Sequence, residues 1–425
     1  MHRQDVLQRT AAGRMETDRM NIIKKYNSIS LVIRIVIGLV LGVILGLISH
    51  KIPGISLLGT LFVGALKAIA PILVFTLVVS SLAQGTKLDS RFGRVILLYM
   101  VSTLLASAVA VVGSFLFPQT IKLTEAAAAE TAPTGLGEVL TSLLGGMVMN
   151  PISALVEGKY IGILFWAVVI GLAARKICDP ATRAMMNTFS DLISQVVRWI
   201  INLAPFGILG LVYTNVASNG LAIFADYGKL LLLLVGCMLA VALVVDPLLA
   251  AITLRRNPYP LVFRCLKGSG VTAFFTRSSA ANIPVNMELC EKLGMDKEMY
   301  AVSIPLGATI NMDGAAVTIA VMALAAANTI GIQVSFPAAL MLAFVSTLAA
   351  CGASGVAGGS LLLIPMACSM FGINNDIAMQ VVAVGFIISV IQDSCETAIN
   401  SSGDVLFTAT AEFREWIKKG RKLPL

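Results

Sequence analysis

Charge is scarce in this chain. Only 13% of its 425 residues are Asp, Glu, Lys or Arg, against roughly 25% in soluble domains. That scarcity excludes a disordered chain, a solenoid of charged helices and an ordinary soluble enzyme. Histidine is nearly missing, with two residues in all, so neither a histidine-rich metal centre nor an intramembrane Ser-His pair is available. The seven cysteines are scattered and form no CxxC pair. Most lie inside apolar runs, where they read as small packing residues. Residues 1–28 are polar and mixed and carry no apolar signal-peptide core, so insertion is expected to rely on the first span.

What the chain has in abundance is apolar side chains, 57% of residues, with a mean hydropathy of +0.88. A spanning helix needs ~20 of them in a row, so the expected class is a polytopic membrane protein. Runs near 30–49, 55–83, 93–117, 160–174, 193–217, 229–254, 299–329 and 376–399 read as eight spans. Two more stretches, 258–292 and 335–372, are interrupted midway by small and polar residues and read as hairpins that enter without crossing. Residues 118–148 carry Pro118, Pro133 and three glutamates and read as a loop or a broken span.

The net charge of +8 arises from 31 basic and 23 acidic residues. The basic ones cluster in short segments before the first run and after the second, fourth, sixth and last. This asymmetry puts both termini in the cytoplasm and requires an even number of crossings. The same placement argues against a nucleic-acid partner.

The first interrupted stretch carries Thr276-Arg277-Ser278-Ser279-Ala280-Ala281-Asn282-Ile283-Pro284. The second carries Gly352-Ala353-Ser354-Gly355-Val356-Ala357-Gly358-Gly359-Ser360 and then Ile364-Pro365. Each precedes a polar-studded span, so the unit recurs. Paired broken segments point to a transporter site. Unwound main chain offers N–H groups to an anion and carbonyls to a cation. The plainer alternative is that Gly, Ser and Ala merely let helices pack closely. In the seventh span Pro305, Gly307, Asn311, Asp313 and Gly314 weaken helix continuity, and an intramembrane Asp313 demands a partner. In the last span Asp393, Thr397, Asn400 and Asp404 are spaced four, three and four apart and share one face. Lys67 and Arg34 read as helix-contact or snorkelling residues, and Asp246, before Pro247, as a cap or kink partner.

Arg277-Ser278-Ser279, Asn311-Met312-Asp313-Gly314, the Gly-Val-Ala-Gly-Gly tip and the Asp393 to Asp404 stripe together resemble the dicarboxylate/amino acid:cation symporter family, from about residue 25 to 410. Within it the sequence is similar to bacterial members that carry serine and threonine with sodium. The resemblance implies the glutamate-transporter fold: an all-α polytopic membrane protein with eight transmembrane helices plus two re-entrant helical hairpins. It implies a homotrimer in the bacterial inner membrane, with a mobile transport domain moving elevator-fashion against a scaffold. The corresponding division is a cytoplasmic segment 1–28, mainly scaffold helices (spans 1, 2, 4 and 5) with transport spans 3 and 6 in 29–257, the transport core in 258–412 and a tail in 413–425.

The resemblance also implies a site. Substrate would be bound by Arg277, Ser278, Ser279, Val356, Gly358, Asp393, Glu396, Thr397 and Asn400, with Ser279 and Asn400 on its α-carboxylate and Asp393 on its α-ammonium. Sodium would be a co-transported ion. One ion would sit at Asp404 with backbone oxygens near Gly307, Asn311 and Asn400, a second near Thr309 and the second hairpin. A third would lie among Tyr99, Ser102, Thr103, Asn311 and Asp313.

Ala315 stands where the family has Thr, and Glu396 where acidic-substrate members have Arg. Like charges ~4 Å apart at an effective dielectric of ~20 repel by ~4 kcal/mol, so Glu396 would reject a dicarboxylate. It can instead accept a hydrogen bond from a hydroxyl, as in serine or threonine. The alternative is that Glu396 only pairs with Arg277, which excludes dicarboxylates equally. The expectation is a sodium-coupled serine and threonine importer and no enzyme. Its rivals are a proton-coupled neutral amino acid carrier, a passive channel, and an intramembrane hydrolase on Asp393 and Asp404, which a helix holds about 16 Å apart, too far to share a proton.

Overall fold

Main chain in lipid must satisfy its hydrogen bonds internally, and a helix does so within one segment. The computed structural model describes residues 29–49, 52–83, 90–123, 145–351, 353 and 358–424, and these contain helices and no strand. The segment 1–28 and Val356 lie outside the described residues, as does most of 118–148.

The first three expected runs are α1 (Leu31–Ile48), α2 (Ile55–Ala83) and α3 (Ser90–Leu116). A short α4 (Pro151–Glu157) leads into α5 (Tyr160–Ile177). The fifth run is longer than expected and bent: α6 (Pro180–Asn202) and α7 (Ala204–Asn219) meet at 52°. Pro205 at the start of α7 has no N–H to continue the ladder. The sixth run is α8 (Ile223–Ala240), a π-helical turn Val241–Val245 and α9 (Asp246–Leu254).

The first interrupted stretch is α10 (Tyr259–Cys265), a π turn Leu266–Gly270, α11 (Val271–Thr276) and α12 (Ser279–Lys292). The chain reverses at Arg277, whose φ of 52° is left-handed. Ser278 then caps α12, its Oγ accepting the Ala281 N–H at 3.2 Å. The seventh run breaks at Asn311 and Met312 into α13 (Lys297–Ile310) and α14 (Asp313–Thr329). The second stretch is α15 (Phe336–Ala350), a 3₁₀ turn Ser360–Leu363 and α16 (Ile364–Ser369). Last comes α17 (Asn375–Lys418), one continuous helix of 44 residues. Among the described residues, five helical stretches are long and apolar enough to cross a membrane, six if the bent α6–α7 pair counts as one.

Two groups of helices pack mainly among themselves. In one, α1 lies along α7, and α2 along α5, α6 and α7. Gly38, Gly42 and Gly46, one per turn, bring the α1 backbone against Pro205, Leu209 and Val216 of α7, the close approach small residues permit in membranes. Outward, this group shows Ile33, Leu47 and Leu61. In the other, α14 packs on α3, α15 and α17, and α17 is flanked by α10 to α13 and α16. α14 is buried on every side from Asp313 to Ala327, so it forms the axis of this group. Between the groups, Phe62 meets Phe386 edge-on at 5.2 Å. Lys67 of α2 pairs with Asp376 at the start of α17, the helix-contact alternative of the two expected for it.

Candidate functional site

The breaks at Arg277 and at Asn311, together with Gly358 and Ser360 beyond the second tip, converge on the middle of α17. Asp393 is the meeting point. Its Oδ2 accepts from Arg277 Nε at 2.7 Å and its Oδ1 from the Gly358 N–H at 3.2 Å. One buried carboxylate thus holds both interrupted hairpins. Arg277 is itself buried.

Glu396, one turn further, does not pair with Arg277. Its side of α17 faces α14 and the second arm of the second hairpin. There Oε2 accepts from Thr318 Oγ1 at 2.7 Å, Ser360 Oγ at 2.8 Å and Gln392 Nε2 at 2.5 Å. Among the described residues no donor reaches Oε1. The carboxylate is therefore clamped by one oxygen and open at the other.

The second half of the site is rich in oxygen. Asn311 Nδ2 donates to the Asn400 carbonyl at 3.0 Å and to Asp404 Oδ1 at 3.1 Å, and the Gly314 N–H donates to Asn400 Oδ1 at 2.7 Å. Asn311 Oδ1 and Asp404 Oδ2 are buried with no partner among the described residues. A Cβ on Gly307 would stand 2.6 Å from Asp404 Oδ1 and 2.8 Å from the Tyr99 hydroxyl, so only glycine lets α13 approach this closely. Asp313 lies 2.8 Å from Thr103 Oγ1 and 2.7 Å from Ser102 Oγ. Buried acceptors without donors are what a hard cation requires.

Some expected residues turn away from the site. The Tyr99 hydroxyl lies not at Asp313 but among Thr408 Oγ1, the Asp404 carbonyl and the Ser303 carbonyl, at 2.9, 3.1 and 3.2 Å. Thr397 donates to the Asp393 carbonyl of its own helix, and Thr309 is exposed and donates to Leu306 O. Ser278 serves as a helix cap. Ser279 is buried at the first turn of α12, and Asn400 lies against Gly314.

Thr318, Ser360 and Gln392 around Glu396, and Ser303 and Thr408 around Tyr99, were not legible as partners. Gln392 adjoins Asp393, and Thr318 lies one turn beyond Gly314, so helical spacing is the signal that could have found both.

A family model described as the sodium:dicarboxylate symporter family matches residues 31–412. The chain is 64% identical over 400 residues to the serine/threonine transporter SstT of Bifidobacterium adolescentis, spanning 94% of this chain and 93% of that relative. It is 59% identical over 401 residues to the protein of the same name from Streptococcus agalactiae, spanning 93% and 99%. To that of Streptococcus thermophilus it is 58% identical over 398 residues, again spanning 93% and 99%.

Proposed function

From the premise that the chain belongs to the sodium:dicarboxylate symporter family, we propose that it imports L-serine and L-threonine together with sodium across a bacterial inner membrane. It is a transporter and not an enzyme. The observation that carries the substrate class is Glu396, held through Oε2 by Thr318, Ser360 and Gln392. Its Oε1 takes the hydrogen of the substrate hydroxyl, a charge-assisted bond. The same oxygen repels a substrate bearing a side-chain carboxylate. The substrate α-carboxylate lies at the N-terminal turn of α12, at Ser279, and at Asn400. Its α-ammonium goes to Asp393, sharing that carboxylate with Arg277 and the Gly358 N–H.

Sodium is a transported partner. Asp404 holds one ion with the carbonyls near Gly307, Asn311 and Asn400; a second lies near the Thr309 main chain and the second hairpin; Asp313 with Ser102, Thr103, Asn311 and the Tyr99 carbonyl, which accepts from Thr103, hold a third. The ions supply the positive charge that buried acceptors lack and order the unwound Asn311 and Met312. Serine or threonine then binds at Asp393 and ties both hairpins to α17. We take α1, α2 and α5 to α7 as the scaffold of a homotrimer, and α3 and α8 to α17 as the domain that moves. In this reading the chain makes eight crossings with two re-entrant hairpins and has both termini in the cytoplasm. The self-contained packing of the two groups supports the division.

The test is uptake of radiolabelled threonine by vesicles. Accumulation is expected in sodium and not when choline replaces it; accumulation in choline would defeat sodium coupling. Competition by aspartate is expected to be absent and to appear in Glu396→Arg. Unchanged selectivity in that variant would take Glu396 out of the pocket.

A further inference from the structure

Asp246 is a buried carboxylate for which the reading above has no task. It stands in the first turn of α9, yet its side chain makes no cap there. It reaches sideways to α3 instead: its Oδ1 lies 2.9 Å from Ser102 Oγ, and the same Oγ lies 2.7 Å from Asp313 Oδ2. A serine hydroxyl has one hydrogen. It can serve one of the two carboxylates, and the other contact then presses bare oxygens together unless something positive intervenes. Thr103 repeats the shortage, with its hydroxyl 2.8 Å from Asp313 Oδ1 and 2.9 Å from the Tyr99 carbonyl.

A separate observation points to the same place. Asn311 Oδ1 is fully buried and has no partner among the described residues. That amide borders the same glycine of α17 as Asp313 does: a Cβ on Gly403 would stand 2.7 Å from Asn311 Nδ2 and 3.8 Å from Asp313 Oδ2. Among the described residues no Lys, Arg or His pairs with Asp246 or Asp313. The spot gathers two carboxylates and a carbonyl on two hydroxyl hydrogens, and the Asn311 amide, with its Oδ1 unused, stands close by.

We infer that Asp246 is the second carboxylate of the Asp313 cation site, holding Ser102 in place and adding a negative charge that tightens the site for sodium. This rests on the sodium-coupled reading. Two carboxylates on one hydroxyl are a strained pair in the empty site and a favourable one around a cation. Sodium binding therefore draws α3, α9 and α14 together at one point.

The test is the thermal unfolding of the purified full-length protein in detergent, titrated with NaCl at ionic strength held constant with choline chloride. The wild type is expected to gain stability with sodium. Asp246→Asn is expected to raise the half-maximal sodium concentration by about tenfold or more, as removal of one nearby charge in a partly screened interior implies. Asp313→Asn should act in the same direction, and the double variant should shift little beyond the larger single, since both charges serve one ion. Asparagine keeps the size of the side chain and suits a helix start, so a merely structural Asp246 predicts superimposable titrations. That result would overturn the inference. Should Asp246→Asn fail to fold, Ser102→Ala keeps both carboxylates and removes their bridge; an unshifted curve there would equally sink the proposal. A wild type indifferent to sodium would instead defeat the coupled reading itself.

Discussion

The first hairpin grips Asp393 with a buried guanidinium, the second with a backbone N–H. Both tips place a left-handed residue at the contact, Arg277 at φ 52° and Gly358 at φ 74°, but only the glycine adopts it without steric penalty. A buried ion pair that loses one partner costs about 3–5 kcal/mol. A neutral N–H to a carboxylate contributes about 1.5–3 kcal/mol. The two grips are thus unequal. The guanidinium contact is the costlier of the two to lose and the N–H contact the cheaper.

The strongest way to break this comparison is to remove what the hairpins share. Asp393→Asn leaves Arg277 buried without its counter-charge, and serine uptake by proteoliposomes should fall by about 100-fold or more, following the cost of an orphaned buried charge. Uptake within a few-fold of wild type would mean that neither grip matters. Arg277→Ala comes next. It strands Asp393 on one side only, and a rise in KM for serine of about tenfold or more is expected. Arg277→Gly should be less harmful, because it relieves about 1–2 kcal/mol of left-handed strain; identical behaviour of the two would assign the whole effect to charge.

Gly358→Ala tests the second grip. Its Cβ would stand 3.0 Å from Phe386 Cε1 in a backbone region alanine disfavours, so about 1–2 kcal/mol and a several-fold loss of uptake are expected. The smallest effect should come from Ser278→Ala, which removes the cap of α12, about 1 kcal/mol. A lowered Tm with uptake within about twofold is the expected pattern; a larger transport defect would give Ser278 a part in the site.

The breaks at Arg277 and Asn311 were legible because polar, Gly and Pro residues interrupt otherwise apolar runs, and such interruptions survive only where the protein shields them. The stripe on α17 followed from spacing alone. Other features hid for physical reasons. α6 carries Arg183, Asn187 and Asp191 on an amphipathic helix, so a reading by apolar runs began at 193 and missed its first turns. α17 continues past 399 through polar residues because packing, not hydropathy, sustains it. The choice of partner was invisible as well. Arg277 and Asp393 are 116 residues apart, Thr318 and Glu396 are 78 apart, and nothing local decides between two carboxylates one turn from each other.

The uninterrupted course of α17 has a consequence of its own. At 1.5 Å per residue, its 44 residues extend about 66 Å, and Asp393, Glu396, Asn400 and Asp404 are all fixed to that single rod. On the proposed assignment, amino acid and ion are then gauged by one ruler. Neither can slip along it relative to the other, so a gradient acting on the ion is felt by its companion as common travel, with no relay in between.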